Sequence, residues 1–490
     1  MISVSRKVLC RRFWSMVFGL LAVAGCATPM LAATGRPNII LILADDLGYG
    51  DLGFQGSKQI PTPNLDRLAA AGLVCSQAYV SSAVCSPSRA GLLTGRNQVE
   101  FGYDNNLDDT ATQPGFDPNF GGLPVTERTI AGRLRTAGYV TGIIGKWHLG
   151  SRPQFHPRRR GFDEFWGFLA GSHHYLPSAP GGRPEPDIEC SFGPAGAITY
   201  LTDNITDQSI AFIRRHREQP FFLYAAYNAP HAPLEAREAD LAKFAFISDK
   251  KRRTYCAMVA RLDEQVGRLL DAVRTEGVAE NTLIVFLSDN GGPVDQNASL
   301  NAPLNGQKGI LLEGGMRVPF VLSWPGKLPT GRVYHPVISS LDLAPTFLRL
   351  AGAAETEFKG LEGVDLWSRL TGADTSAAHT ELKWRFTISA ALREGDWKLV
   401  RLPDRLPMLF NLSDDLSEQH DVALQNLDRT KAMLARLGDW DVRLPHPVTL
   451  EGAIWKRRQL NLYDATFPLT QPVGGDAPRL ISDRETSSPH

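Results

Sequence analysis

Residues 38–44 read Asn-Ile-Ile-Leu-Ile-Leu-Ala, an apolar run without polar alternation. Such a run predicts a strand buried on both faces, as in a parallel sheet covered by helices. Residues 63–71 predict a helix, with a proline at its start, Asn64 and Asp66 in the first turn and Gly72 as the stop. The rhythm then repeats. A helix over 126–136, opened by Thr126-Glu127, precedes a strand over 139–144. A helix over 206–217 precedes a strand over 221–227, and a helix over 255–274 precedes a strand over 282–288. This alternation predicts an α/β fold, a mostly parallel sheet flanked by helices on both faces. Past Ala373 the pattern changes. Residues 386–392 and 397–402 predict short strands around Glu394-Gly395-Asp396, 408–412 a third strand, and 427–437 a helix. That is a small antiparallel α+β unit. The expected organisation is a large domain over 36–373, a C-terminal subdomain over 374–473 and a polar, disordered tail over 474–490.

The first 33 residues belong to neither unit. Arg6, Lys7, Arg11 and Arg12 precede an apolar run over 16–24 that is too short to span a bilayer, the pattern of an export signal. Two cleavage readings stand side by side. Val23-Ala24-Gly25-Cys26 resembles a bacterial lipobox, which would lipidate Cys26, whereas Ala32 and Ala33 offer an ordinary peptidase site. Either makes the chain exported, periplasmic or anchored to the outer membrane, with contact to the membrane only through Cys26. No later segment is apolar for long enough to predict a spanning helix. Residues 178–186, rich in Pro and Gly, predict a surface loop.

Composition narrows the function classes. Of 490 residues, 52 Lys and Arg balance 52 Asp and Glu, so the basic excess of a nucleic-acid binder is missing. Hydrophobic residues at 43% and charged residues at 21% exclude a mainly disordered or fibrous chain. Outside the leader the cysteines are Cys75, Cys85, Cys190 and Cys256, with no Cys-x-x-Cys pair. They are too few for a disulfide framework in a chain this long. Cys75 and Cys256 read as small buried hydrophobes.

Chemistry gathers after the predicted strands. The first ends at Asp45-Asp46, the 139–144 strand runs into Lys146-Trp147-His148, the 221–227 strand precedes His231, and the 282–288 strand ends at Asp289-Asn290-Gly291-Gly292. Ligands of open parallel sheets bind beyond the carboxyl ends of the strands. Asp45, Asp46, Asp289 and Asn290 offer hard oxygen donors, which suit Ca²⁺ or Mg²⁺ rather than zinc. Around them Arg89, Lys146, His148, His231 and Lys308 are cationic or can become so. A metal ringed by cations implies an anionic substrate carrying phosphate or sulfate.

The segment Cys85-Ser86-Pro87-Ser88-Arg89-Ala90-Gly91-Leu92-Leu93-Thr94-Gly95 resembles the signature of the sulfatase family. The resemblance runs from about Arg36 to about Ala423. It includes Ala44-Asp45-Asp46-Leu47-Gly48, Gly145-Lys146-Trp147-His148-Leu149-Gly150, Pro230-His231-Ala232-Pro233, Ser288-Asp289-Asn290-Gly291-Gly292, Leu312-Glu313-Gly314-Gly315-Met316-Arg317 and Asp396-Trp397-Lys398-Leu399. It implies the alkaline-phosphatase-like α/β sandwich with a small C-terminal subdomain. It also implies that Cys85 is oxidised to formylglycine by a formylglycine-generating enzyme, and that the aldehyde hydrate is the nucleophile. By the same resemblance Asp45, Asp46, Asp289, Asn290 and the residue-85 oxygen hold one Ca²⁺. Arg89, in the first turn of a helix beginning near Pro87, orients formylglycine. Lys146 and Lys308 bind sulfate, His148 is the base for sulfate elimination, and His231 is the acid that protonates the leaving alcohol.

The implied substrate is a sulfated carbohydrate or an aryl sulfate. The run from Arg152 to Pro157 and Gly161-Phe162-Asp163-Glu164 look like the branch containing arylsulfatase A, galactosamine-6-sulfatases and bacterial glycan sulfatases. His173, His174 and Tyr175 read either as lining of the substrate mouth or as an ordinary loop around a buried aromatic. Arg158, Arg159 and Arg160 read as a solvated charge run that could attract an anionic polysaccharide. Two rivals are a phosphonate monoester or phosphodiester hydrolase of the same superfamily and a non-catalytic glycan-binding lipoprotein.

Overall fold

The apolar run Asn38–Ala44 (β1) is the central strand of a nine-stranded sheet. The computed structural model describes residues 35–107, 121–177, 187–403, 405–447 and 453–468. The expected export signal, the 178–186 loop and the 474–490 tail lie outside the described residues. The described residues from Arg36 onward form one compact unit.

The other strands, in chain order, are β2 (Leu73–Cys75), β3 (Ala78–Tyr79), β4 (Val140–Lys146), β5 (Glu164–Phe168), β6 (Glu189–Cys190), β7 (Phe221–Ala226), β8 (Thr282–Ser288), β9 (Phe320–Ser323), β10 (Arg332–Tyr334) and β11 (Ile338–Ser339). The large sheet runs β10-β2-β9-β8-β1-β7-β4-β5-β6, and β3 pairs separately with β11. Its centre, from β8 to β5, is parallel, while β9 and β6 run antiparallel to their neighbours. Alternate residues of β1 serve opposite cores. Ile39, Leu41 and Leu43 pack with Phe222, Tyr224, Val285 and Leu287, whereas Ile40 and Ile42 pack with Leu223, Ala225, Ile284 and Phe286. Each fully buried aliphatic or Phe side chain contributes about 1.5–3 kcal/mol, so the doubly buried strands anchor the sheet.

Register decides the function of this sheet. Ala44 pairs with Ser288, Leu43 with Ala226, and Ala226 with Gly145. The carboxyl ends of β8, β1, β7 and β4 are therefore level, and the residues following them share one rim.

Several helices begin elsewhere than the sequence pattern predicts. The helix expected from Thr126 starts at Ile130, where the Thr129 side chain accepts from Gly132 N and caps it. The helix expected over 206–217 spans Leu201–His216, and that over 255–274 spans Lys250–Thr275, capped by Asp249. The helix expected near Pro87 opens at Cys85 and spans Cys85–Thr94. Arg89 therefore stands one full turn beyond Cys85 on the same face, not in the first turn.

The C-terminal strands β12 (Glu381–Phe386), β13 (Ser389–Glu394), β14 (Trp397–Arg401) and β15 (Met408–Asn411) form an antiparallel sheet in that order. The single strand expected over 386–392 is really the end of β12 and most of β13, joined through Thr387 at φ +46°. A helix over Leu427–Asp441 covers this sheet with Met433 and Leu437 against Leu392 and Leu399. A further helix, Ala453–Thr466, had no counterpart in the pattern reading.

A buried ion cluster ties the small sheet to the short Glu313–Met316 helix of the large domain. The fully buried Lys398 ammonium on β14 lies 2.9 Å from Glu313 and 2.9 Å from Glu418, both also fully buried. Glu418 accepts from Glu313 N at 2.6 Å. Burial, with Glu313 adding to it, pushes the Glu418 carboxyl up to about 7 even against Lys398. Lys398→Met should destabilise the fold by about 3–5 kcal/mol, because it strands two buried carboxylates. A carboxyl held above its unfolded value stabilises the fold at low pH, and that contribution is lost as pH rises through about 7. The variant's deficit in urea unfolding should accordingly be larger at pH 8 than at pH 5. Unchanged stability at both would remove this cluster from the account of the fold.

Candidate active site

The level strand ends bring the acids and cations into one buried cluster around Cys85. Asp45 and Asp46 follow β1, with Asp46 in the left-handed backbone region at φ +65°. Cys85 Sγ lies 3.3 Å from Asp45 Oδ1 and 3.8 Å from Asp46 Oδ1. Lys146 Nζ, from the end of β4, reaches Asp45 Oδ2 at 2.5 Å. Lys308 Nζ lies 2.8 Å from Asp46 Oδ1 and 3.0 Å from Cys85 Sγ. Arg89 places its guanidinium 2.8 Å from Asp289 Oδ2 and 3.6 Å from Asp45 Oδ2. Asp289 Oδ1 accepts from Asp46 N at 3.2 Å, and Asn290 Nδ2 donates to Asp46 Oδ1 at 2.7 Å. His231 Nε2 is 3.5 Å from Asp46 Oδ2.

Electrostatics follow from this crowding. Burial alone would raise Asp45, but Lys146, His231, Arg89 and Lys308 together hold its carboxyl well below the usual range. Asp289 goes the other way, since burial and the neighbouring Asp45 push it up to about 7. Burial opposes the Lys308 charge, yet Asp46, Cys85, Asp45 and Asp289 together outweigh it and hold the ammonium protonated. Burial, with Asp289 and Asp45 close by, drives the Cys85 thiol well above its ordinary value. Burial lowers both His148 and His231, with Lys146 and Arg89 adding to the effect on His148.

The donor set fits a hard cation. Ligand atoms of Asp45, Asp46, Cys85 and His231 lie within 4.8 Å of one another, a group that adds the His231 imidazole and the Cys85 thiol to the two leading aspartates and does not include Asp289. The buried Asn290 Oδ1 has no hydrogen-bond partner, and a half-turn of the amide exchanges it with the nitrogen now facing Asp46. Carboxylate and amide oxygens favour Ca²⁺ or Mg²⁺. Arg89, Lys146 and Lys308 already balance the three aspartates. A divalent ion added to this set leaves a net positive site for an anionic ester.

His148 sits at φ +57°, a left-handed conformation that costs a residue with a Cβ about 1–2 kcal/mol. Ser86, which the pattern reading passed over, holds it there. Its hydroxyl donates to His148 O at 2.6 Å and accepts from Tyr103 OH at 2.7 Å. Gly171 borders the ring, for a Cβ added there would lie 2.6 Å from His148 Nε2. Ser86→Ala should therefore let the His148 backbone relax and lower kcat about tenfold with KM little changed, from the loss of roughly one hydrogen bond. An unaltered kcat would show that the rest of the loop holds His148 without it.

Of the three residues read as a possible mouth, two are interior. His173 is buried against Phe168, and Tyr175 is buried with its hydroxyl donating to Asn228 O at 2.6 Å and His231 O at 2.8 Å. Tyr175 thus supports the His231 loop. Only His174 is exposed, paired with Glu235 at 2.6 Å. Tyr224 was also missed; it receives a hydrogen bond from Arg89 at 3.4 Å and lies mid-strand, where the apolar pattern hides it. Cys75, Cys190 and Cys256 carry free thiols.

Known proteins share this architecture. The family profile Sulfatase matches residues 37–353. N-acetylgalactosamine-6-sulfatase of Canis lupus familiaris is 36% identical over 373 residues, covering 72% of this chain and 69% of its own. Arylsulfatase A of Bos taurus is 38% identical over 376 residues, covering 71% of each chain. The crystal structure of Ps i-CgsB in complex with k-i-k-neocarrahexaose matches with a TM-score of 0.79 at 36% identity, covering 89% of this chain and 100% of its own.

Proposed function

Because the chain belongs to the sulfatase family and is a sulfuric ester hydrolase, we propose that it removes sulfate from a sulfated carbohydrate, with residue 85 supplying the nucleophile. The observation that carries this reading is the buried cluster in which Lys308 and both leading aspartates meet Cys85 within 3.0–3.8 Å. The relatives support a sugar preference without fixing it. One is named for N-acetylgalactosamine-6-sulfate and a structural neighbour holds a neocarrahexaose, so a galactose- or N-acetylgalactosamine-6-sulfate type of unit is the proposed substrate.

Asp45, Asp46, Asp289 and Asn290 would hold Ca²⁺, which when bound supplies Lewis-acid charge to the ester oxygens and acidifies a neighbouring hydroxyl. Cys85 would be converted to formylglycine by a formylglycine-generating enzyme, which supplies a hydroxyl nucleophile with an internal route of release. The chain's own groups do the rest. Lys146 and Lys308 hold the anionic ester by charge, Arg89 fixes residue 85 from one turn away, and His231 delivers a proton to the departing alcohol. His148 takes up a proton during sulfate release. Export through the 1–33 signal, to the periplasm or to an anchor at Cys26, would bring the enzyme to extracellular glycans. Among the described residues no helix is long and apolar enough to cross a membrane.

The test is a panel on the matured enzyme: defined 6-sulfated mono- and disaccharides, 4-nitrophenyl sulfate and an aryl phosphonate. Sulfate esters should be hydrolysed fastest, with activity lost on calcium removal and restored by calcium. Faster cleavage of the phosphonate, or stoichiometric zinc with indifference to calcium, would overturn the reading.

A further inference from the structure

The arginine run 158–160 divides in two. Arg160 is buried and serves the fold, donating to the carbonyls of Pro124 at 2.8 Å and Val125 at 3.2 Å. Arg158 and Arg159 are exposed, and among the described residues neither has a carboxylate at ion-pair distance. They stand on a short 3-10 turn, Pro157–Arg159, opened by proline and capped by His156 Nδ1, which accepts from Arg158 N at 3.2 Å.

Both arginines line a surface cavity of about 620 Å³ whose wall also includes Ser151, Leu169, Arg135 and His156. A second cavity of about 240 Å³ shares Arg135 and Arg159 with it, so the two adjoin. The acids in the larger wall are already matched, Asp163 facing Arg135 at 3.6 Å and Glu189 facing His156 at 3.1 Å. Arg158 and Arg159 are thus a local cationic excess on a chain whose formal net charge is zero. One end of this track is built from residues that adjoin the catalytic rim through the backbone. Ser151 follows His148 by three residues, and the Leu169 carbonyl accepts from His148 N at 3.1 Å.

We propose that this track is a second anion-binding subsite, on which a polysulfated glycan lays the sulfates next to the one being cleaved, with Arg158 and Arg159 as the contacts. The inference rests on the sulfated-carbohydrate reading and adds to it that the substrate is a chain rather than a lone monosaccharide. A guanidinium is weakly hydrated and pairs with two oxygens of one oxyanion, which suits sulfate groups presented in series. Two adjoining, open depressions suit an extended ligand. A single-stranded nucleic acid is also polyanionic, but it needs aromatic faces on which bases stack. Among the described residues, the only Phe, Tyr or Trp in either wall is Phe162, which is 1% exposed.

The experiment compares the wild type with the Arg158→Ala/Arg159→Ala double variant. Binding of ι-carrageenan and chondroitin 6-sulfate hexasaccharides is measured by calorimetry at several salt concentrations, alongside turnover of 4-nitrophenyl sulfate. The double variant should bind at least one hexasaccharide about tenfold more weakly and with a shallower salt dependence. Its turnover of the aryl sulfate, which is too small to reach the track, should be unchanged. Equal affinities in the two proteins, or no binding of either hexasaccharide to the wild type, would overturn the proposal. A single-stranded oligonucleotide of equal charge that binds as tightly, and loses as much in the variant, would reassign the track as a general polyanion surface. The wild type's aryl sulfate turnover separates these outcomes from failure of the sulfatase reading, which alone would abolish it.

Discussion

Cys85→Ala is expected to abolish hydrolysis of every sulfate ester, a loss of roughly 10⁴-fold or more, as when the nucleophile of a covalent mechanism is removed. The residue lies at the meeting point of Asp45, Asp46 and Lys308, so no other side chain can take over its position. The substitution removes a buried thiol of small volume from the start of the Cys85–Thr94 helix and should leave the fold intact. A chemical readout accompanies the kinetic one. In the matured wild type, the tryptic peptide containing residue 85 should be about 18 Da lighter than its unmodified form, since a thiol carbon has become an aldehyde. Cys85→Ser tests the same point differently. One hydroxyl can form an ester but offers no internal route of release, so the variant should give at most a single turnover. An active preparation carrying only unmodified cysteine at position 85 would sink this mechanism.

His231→Ala should separate two kinds of leaving group. A phenolate departs unaided, whereas a sugar alkoxide is strongly basic and needs a proton as the bond breaks. General acid catalysis contributes about 10²–10⁴-fold. Most of that factor should vanish from a sulfated sugar and far less from 4-nitrophenyl sulfate. The position of the ring supports the role: its Nε2 lies 3.5 Å from Asp46 Oδ2 and its side chain is 20% exposed, so it stands between the buried cluster and solvent. Burial lowers its pKa, which makes its protonated form a stronger acid. His148→Ala should instead slow both substrates, because sulfate release is common to them. Equal losses for His231→Ala on the two substrates would make it a sulfate-binding group. Lys308, whose ammonium lies 3.0 Å from Cys85 Sγ, would then be the acid to test.

The sequence by itself determined the kind of sheet and the chemistry carried at its strand ends. Residues 38–44 and 282–288 were legible to the residue because doubly buried strands are apolar without interruption, a property each segment carries alone. The motif around Cys85 was legible for the same reason, since its residues are neighbours in the chain. Helix starts were less so. The pattern opens the helix before β4 at Thr126, whereas in the fold Thr129 is the cap.

What the tertiary structure alone decided depends on partners far apart in the chain. The strand order is one such case: β1 lies between β7 and β8, and that placement is what levels Asp45, Lys146 and Asp289 on one rim. Ser86 bonding to His148, Lys398 caught between Glu313 and Glu418, and the split of the arginine run into one buried and two exposed side chains are others. Periodicity records whether a side chain faces core or solvent. It does not record which residue meets it there, because that is set by strand order, register and the close approach of separate segments of the chain.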